Sequence, residues 1–350
     1  MGLTGGPVAP KRLRARRNRA LPAAGSPRPA ALQAREVVHT TSARNRLQAV
    51  LAGESPDRPP LCLWHHFRPQ GSPAALAAAT VAFFDDLGFD VYKVMPDIPY
   101  PPPSVPLTAG ANWEALPRLS ASPTGPLGGM SVAVSLVRRQ RPDAVILATV
   151  FSPLALALRW TDGVAPLRQV SAAAPEAVRA GLATVADNVA ETCAACLAAG
   201  ADGIYFATAG LGDGLLDDDE YRMWGRPFDL RALDGCAAGW CNVLHMHGDS
   251  DLQWHRVADY PPPIFSWSDR RTGVSLAEIA HGLPDKTVMG GIDETGAVVR
   301  GDANGLKAEM EDAVRQTGGR QVILAGGCSV PDDIPLAHLR LARRIVGSWE

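Results

Sequence analysis

The 350-residue chain lacks a long apolar run, a strong net charge and a cysteine pattern typical of disulfide or zinc modules. No stretch reaches the roughly 18 uninterrupted apolar residues of a membrane-spanning helix. The net charge is −2, so neither nucleic acid nor a membrane surface is expected as a partner. Hydrophobic residues make up 46% of the chain, which allows a large core around a small-molecule site.

The six cysteines are sparse and indicate reduced thiols in a cytoplasmic protein. Cys193-Ala-Ala-Cys196 has no second CxxC partner, and it lies within a helical pattern. This context favours buried packing residues over a redox or zinc motif.

Residues 1–38 differ from the rest of the chain in charge. They carry eight basic side chains and one acidic one, a net charge of +7, so residues 39–350 carry −9. The segment is rich in Ala, Pro and Gly and has no apolar periodicity, which predicts disorder. It also lacks the apolar core of a secretory signal peptide. We expect a disordered Arg-rich tail at 1–38, with a basic targeting arm as the alternative, followed by one domain at 39–350.

Eight short apolar runs alternate with helical patterns, which is typical of βα units and a parallel sheet. The predicted strands are Pro60–Trp64, Val91–Met95, Ala144–Val150, Gly203–Thr208, Asn242–His247, Pro263–Trp267, Thr287–Ile292 and Gln321–Gly326. The clearest helix is Pro175–Gly200, whose apolar residues recur at helical spacing. The pattern predicts a single (β/α)8 TIM barrel of the α/β class, with a doubly wound sheet as the alternative.

Two long connections follow predicted strands. Pro96–Arg118 is rich in proline, and Gly210–Asp234 is acidic. Loops longer than about 15 residues usually serve as lids or binding segments, so we expect both on the catalytic face. Gly210-Leu-Gly-Asp-Gly lacks the Lys-Ser/Thr of a phosphate loop and is predicted to be a mobile loop.

Polar residues just past the strand ends are the candidate site, because barrels of this kind build their active sites there. His245 and His247 stand at i and i+2 of the fifth strand and should point the same way. With Cys328 after the eighth strand, they form a ligand set for zinc with one position open. Asp249 or Asp293 would then hold the imidazoles. The alternative is that His247 binds loop backbone and Cys328 is a buried packing residue. Of the adjacent histidines 65 and 66, at most one can reach the lumen.

Several segments resemble proteins of the uroporphyrinogen decarboxylase superfamily. In TSARNRLQAVLAGESPDRPPLCLW a helix and a Pro-Asp-Arg turn lead into the first strand, and VYKVMPD delivers an aspartate after the second. The segments at strands five to eight are HMHGD, SWSDRRTGVSLAEIAHGLPDKTVMGGID and VILAGGCSVPDDIPLAHLRLA. The similarity spans about residues 40–348 and implies a barrel enzyme with its chemistry at the C-terminal strand ends.

One branch of this superfamily decarboxylates a tetrapyrrole without a cofactor. It uses paired arginines after strand one and an aspartate that binds the pyrrole nitrogens. Asp97 matches that aspartate, and Arg68 matches the first arginine with an offset of one residue. The second arginine is absent where Gly71 and Ser72 stand, and Cys328 replaces a late histidine. A lone guanidinium cannot supply the paired fork, which argues against uroporphyrinogen III as the substrate.

The other branch comprises zinc-dependent methyltransferases that move a methyl group between a corrinoid protein and a thiol. Their ligands are a His-x-Cys after strand five and a Cys after strand eight. Here His245, His247 and Cys328 take those positions, with His247 in place of a cysteine. Imidazole leaves less negative charge on zinc than thiolate does. This substitution weakens thiol activation and favours a Lewis-acid role.

The leading prediction is therefore a zinc-dependent methyltransferase-like enzyme acting on a small molecule, with a corrinoid protein as the candidate partner. Asp97 and Asp269 are expected to orient the substrate from the barrel mouth, and Arg68 to hold a carboxylate. The alternatives are a metal-free decarboxylase, which needs no cofactor, and a barrel that binds a small molecule without catalysis.

Overall fold

The computed structural model describes residues 42–68 and 72–349, so the predicted tail at 1–38 lies outside the described residues. Eight parallel strands form one sheet in the order β1-β8-β7-β6-β5-β4-β3-β2. The strands are β1 (Leu61–Cys62), β2 (Val91–Val94), β3 (Val145–Phe151), β4 (Gly203–Thr208), β5 (Val243–Met246), β6 (Ile264–Ser266), β7 (Thr287–Ile292) and β8 (Val322–Gly326). Helices connect them, which confirms the predicted (β/α)8 TIM barrel.

The helices form the outer layer of the barrel. They are α1 (Ala43–Leu51), α2 (Pro73–Leu87), α3 (Gly110–Glu114), α4 (Gly129–Gln140), α5 (Pro153–Trp160), α6 (Val164–Ala173), α7 (Pro175–Ala198), α8 (Asp218–Glu220), α9 (Arg226–Leu233), α10 (Leu276–Gly282), α11 (Ala297–Arg300), α12 (Ala303–Thr317) and α13 (Leu336–Gly347). A π-helix at Tyr221–Gly225 joins α8 to α9. Short 3₁₀ helices lie at Asp234–Cys236 and Trp254–Val257. In the described part of the chain, no helix combines the length and apolar character needed to cross a membrane.

The acidic connection Gly210–Asp234 is not the long loop that the sequence predicted. Most of it is helical, from α8 through the π-helix to α9. Asp217 and Glu220 cap the start reciprocally, each side chain accepting a hydrogen bond from the backbone N–H of the other. This capping box satisfies helix-end donors that a loop would leave to water, and Trp224 is buried behind it. By contrast, the proline-rich connection is irregular apart from α3, as expected of residues without an N–H donor.

In the described residues no strand ladder joins β1 to β2, and a buried charge network joins them instead. Asp90 donates its backbone N–H to the carbonyl of Leu61 (2.9 Å), and its carboxylate accepts the N–H of Leu61 (2.8 Å). Arg58 and Arg46 bind the same carboxylate at 2.7 and 3.2 Å. Arg58 belongs to the Pro-Asp-Arg turn. This turn therefore supplies the charge that joins β1 to β2.

The core surrounds the strands on both faces, since every residue of β4, β7 and β8 is buried. Cys193 and Cys196 are fully buried in α7, as expected of packing residues. Burial raises the pKa of the Cys196 thiol to about 12, and a hydrogen bond with Cys236 together with burial raises the pKa of the Cys193 thiol. Both thiols are therefore neutral and lie within the helix layer.

Candidate metal centre and substrate cavity

His245, His247 and Cys328 come together at the C-terminal mouth of the barrel. His245 lies in β5, His247 directly follows that strand, and Cys328 lies two residues past β8. One donor atom from each side chain lies within 4.8 Å of the other two. Bonds of about 2.0–2.3 Å to a common zinc ion would bring such atoms about 3–4 Å apart. The trio therefore needs only small side-chain adjustments to share one ion.

The chemistry of this trio fits a metal. Nδ1 of His245 is buried and has no hydrogen-bond partner among the described residues, an arrangement that costs about 1–3 kcal/mol when nothing binds the atom. Burial by itself would raise the pKa of Cys328, but His245 and His247 beside it lower that pKa to about 4. The pKa of His247 is raised, chiefly by its contact with Cys328. Cys328 is thus a thiolate at neutral pH, the form that binds zinc.

Neighbouring strands fix the ring of His245. Tyr205 on β4 stacks on it with centroids 5.2 Å apart and planes 28° apart. The hydroxyl of Tyr205 forms a hydrogen bond with the hydroxyl of Ser266 on β6 (3.1 Å). The Tyr205 ring, itself bound to β6, therefore orients the imidazole by stacking on it.

The loop that carries His247 is bound to the Gly-rich segment after β4. The carboxylate of Asp213 accepts the backbone N–H groups of Asp249 (3.1 Å) and Ser250 (2.8 Å). A Cβ at Gly248 would lie 2.8 Å from the Cα of Gly212, so only glycine permits this approach. The Gly210–Gly214 segment, predicted to be a mobile loop, instead supports the His247 loop.

A buried carboxylate that sequence reasoning missed holds the Cys328 loop. Glu294 accepts the N–H of Gly327 (3.2 Å) and the hydroxyl of Ser268 (2.8 Å). A Cβ at Gly327 would lie 2.3 Å from the Cα of Ser268. Glu294 directly follows Asp293, so its place after strand seven was a usable signal.

The expected carboxylate partners of the imidazoles are not found. Asp249 pairs with Arg271 at 3.4 Å, and Asp293 accepts the N–H and hydroxyl of Thr295. Within residues 42–68 and 72–349, neither forms a hydrogen bond with His245 or His247. Both carboxylates bind other groups instead, Asp249 an arginine of the segment after β6 and Asp293 a residue of its own loop.

A cavity of about 400 Å³ opens beside the trio and contains all three side chains in its wall. Lys93, Trp64 and Tyr205 also line it. A second cavity of about 670 Å³ lies along the proline-rich connection. The two share residues of β3 and α5, namely Thr149, Phe151 and Arg159, together with Pro96. The predicted position of this connection on the catalytic face therefore matches the structure.

Asp97 lies behind the first cavity and binds His66. Its carboxylate accepts from Nδ1 of His66 (2.5 Å) and from the N–H of Phe67 (2.7 Å). Burial would raise its pKa, but these two donors hold the pKa below its ordinary value. The side chain is 6% exposed, so the expectation that it is exposed at the barrel mouth was wrong. His66 lines the cavity, whereas His65 packs on Phe83.

The other two predicted residues lie apart from the trio. Arg68 is 82% exposed and pairs with Asp332 at 2.5 Å, in an open groove beside the first cavity. Asp269 is buried, and its carboxylate accepts the N–H of Gly291 (2.8 Å). Burial raises the pKa of Asp269 to about 6. Neither residue lines the cavity that holds the trio.

Comparison with known proteins places these features in a family. No curated protein matches the chain at a significant level. A methyltransferase from Methanosarcina mazei is similar in structure, with a TM-score of 0.71 and 17% identity over 89% of this chain and 99% of its own. A B12-independent methionine synthase from Shewanella sp. W3-18-1, in complex with selenomethionine, is similar with a TM-score of 0.51 and 14% identity, over 79% of this chain and 88% of its own.

Both likenesses concern the fold, since the identities are low. The sequence itself matches the family model described as uroporphyrinogen decarboxylase (URO-D) over residues 70–349. That span includes β2 to β8 and all three residues of the trio. The chain therefore belongs to the uroporphyrinogen decarboxylase family.

Proposed function

We propose that this protein is a zinc-dependent methyltransferase that methylates a thiol or a similar nucleophile on a small molecule. The observation that carries the proposal is the trio of His245, His247 and Cys328 in the wall of a cavity. The two structural neighbours, named as a methyltransferase and a methionine synthase, support it. A methylated corrinoid protein is the candidate donor. We also propose that the protein works in the cytoplasm, because a reducing compartment keeps a thiolate such as that of Cys328 from forming a disulfide.

The residues of the cavity fit the steps of such a transfer. Zinc held by two imidazoles and one thiolate would act as a Lewis acid: it would lower the pKa of a bound thiol and leave one position for it. The resulting thiolate is less nucleophilic than on a zinc with more thiolate ligands. His66 is the candidate base, because Asp97 fixes its Nδ1 as the donor and leaves Nε2 to accept the thiol proton. The sulfur then forms a bond to the methyl carbon. The bond from that carbon to the donor breaks, and its electron pair leaves with the donor.

The metal-free decarboxylase receives less support from the geometry. Asp97 would have to bind a pyrrole, but both of its oxygens already accept hydrogen bonds. Arg68 would have to hold a substrate carboxylate, but it pairs with Asp332 outside the cavity.

The proposal is tested by metal analysis. Purified protein, reconstituted with zinc and desalted, should contain about one zinc per chain by mass spectrometry. Cys328→Ala and His245→Ala should each retain well under half of the zinc of the unchanged protein, because each variant lacks one of the three protein ligands. Cys241→Ala is the control, because this buried cysteine lies outside the trio, and it should keep the full amount.

Circular dichroism checks that each variant folds. Zinc that remains at one per chain in folded Cys328→Ala would contradict the proposed ligand set. Wild-type protein that takes up no zinc would contradict the metal itself.

A further inference from the structure

Lys93 is a buried cation that the chemistry described above does not use. It lies on β2 and is 1% exposed. Its Nζ lies 4.0 Å from the ring centroid of Tyr205, 4.6 Å from that of Trp64 and 3.3 Å from the sulfur of Met95. No carboxylate in the described part of the chain lies within ion-pair distance of it. Lysines are almost never fully buried without such a partner.

Two carboxylates behind the cavity wall, Asp97 and Glu294, bind other groups. Asp97 is occupied by His66 and Phe67, and Glu294 by the N–H of Gly327 and a serine hydroxyl. Neither lines the cavity, and the described residues of its wall include no Asp or Glu at all. The described wall therefore contains no carboxylate that could pair with Lys93.

A second cation lies in the same wall. The guanidinium of Arg159 lies over the ring of Phe151, 4.6 Å from its centroid, and it has no acidic partner among residues 42–68 and 72–349. Arg159 stands where the two cavities meet. The described wall therefore holds two basic side chains and no carboxylate, and its one acidic group, the Cys328 thiol, belongs to the proposed metal ligands.

A bound zinc ion would add to this positive charge. One thiolate and two neutral imidazoles leave a divalent ion with a net charge of about +1. In a site that excludes water, such uncompensated charges attract an anion far more strongly than they would in bulk solvent.

We propose that the cavity binds a small-molecule carboxylate and that Lys93 is the residue that holds its acidic group. The aromatic faces of Tyr205 and Trp64 hold the ammonium in place by cation–π contact, and the single charge of Lys93 matches a monoanion. On the proposed function the substrate is then a thiol that carries a carboxylate. The inference that the substrate carries a thiol (the thiol half) rests on that function. The inference that it carries a carboxylate (the carboxylate half) rests on Lys93 and the cavity wall alone.

Burial lowers the pKa of Lys93 to about 7, as expected of an ammonium without a partner. A carboxylate beside it would favour the charged form again.

The carboxylate half is tested on the full-length protein stripped of metal and on its Cys328→Ser variant, so that neither the absence of zinc nor the Cys328 thiolate can decide the result. Calorimetry compares propionate with propionamide, which has the same shape and no charge. Propionate should bind about tenfold more tightly, in line with a charge-assisted hydrogen bond in a buried site. In Lys93→Met the preference should fall to about twofold or less. Lys307→Met, which removes an exposed lysine paired with Glu311 on α12, should keep the wild-type preference.

Three results would contradict the proposed carboxylate site at Lys93. Equal binding of propionate and propionamide by the wild type would overturn the anion site. A preference that persists in Lys93→Met would assign the acidic group to another residue, with Arg159 the first to test. Inorganic phosphate that binds more tightly than propionate would overturn the choice of carboxylate. Should Lys93→Met fail to fold, Lys93→Gln replaces it under the same criteria.

The zinc-loaded protein then tests the thiol half. 3-Mercaptopropionate should bind more tightly than propionate, because its thiol would take the open position on zinc. A carboxylate preference without any gain from the thiol would leave Lys93 as the anchor and contradict the proposed function alone.

Discussion

Asp97 is held as a hydrogen-bond acceptor, because both of its oxygens receive donors from residues after β1. Its neighbour His66 faces the cavity. The pair therefore links the ends of two strands and sets the tautomer of an imidazole at the substrate site. We expect Asp97 to act on the substrate through His66.

Asp97→Asn tests this role. An amide has one acceptor oxygen, so its NH2 group must face either His66 Nδ1–H or the N–H of Phe67. We expect a loss of about 1–3 kcal/mol in the free energy of unfolding, measured with urea, while zinc per chain stays unchanged. Asp333→Asn, an exposed change nearby, should cost at most about 0.5 kcal/mol. Loss of zinc from folded Asp97→Asn would show that Asp97 acts on the metal ligands instead.

Sequence reasoning identified the trio but not Lys93. The i and i+2 spacing of His245 and His247 fixed their common direction, because alternate strand residues share a face. Lys93 had a similar signal, since it lies among Val91, Val94 and Met95 in an otherwise apolar run. The bond between His66 and Asp97 had no local signal. Its partners lie 31 residues apart and meet only when β1 and β2 are neighbours.

At the scale of elements, β1 and β2 depend on charge rather than on a ladder. Asp90 is 3% exposed and binds both Arg58 and Arg46. Removing one partner from a buried ion pair leaves the other charge without compensation. This network stabilises the barrel at the edge where Trp64 and Lys93 enter the cavity.

Asp90→Ala should therefore lower the free energy of unfolding by about 3–5 kcal/mol. The matched control is Asp86→Ala, which removes an exposed carboxylate that pairs with Arg340 at 2.6 Å, with side-chain exposures of 42% and 41%. It should cost about 1 kcal/mol or less. Urea denaturation of both variants gives the comparison. Similar losses in the two would refute the idea that the buried network joins the strands.

Strand positions were predictable, whereas the helical connection after β4 was not. All eight predicted strands are found, most of them shorter than predicted by one or two residues at an end. Apolar runs mark buried strands well, but ladder bonds decide where each strand ends. Gly210–Asp234 carries Gly and Asp residues that favour a loop. The capping box of Asp217 and Glu220 outweighs that tendency.

For the whole molecule, the barrel brings residues from distant parts of the chain to one cavity. Lys93 comes from β2, His245 from β5 and Cys328 from the loop after β8. The sequence predicted the fold because its βα alternation repeats along the chain. The sequence could not predict the charge of the cavity wall, because that charge depends on which carboxylates bind other groups and lie outside the wall.

On the proposed function, the trio binds zinc and leaves one position for a substrate thiol. X-ray absorption at the zinc edge tests it on the zinc-loaded protein. We expect two nitrogen ligands at about 2.0–2.1 Å, one sulfur at about 2.3 Å and a light-atom ligand in the remaining position. Adding 3-mercaptopropionate should replace that light atom with a second sulfur. A sulfur count that stays at one under saturating thiol, or a first shell without sulfur, would contradict it.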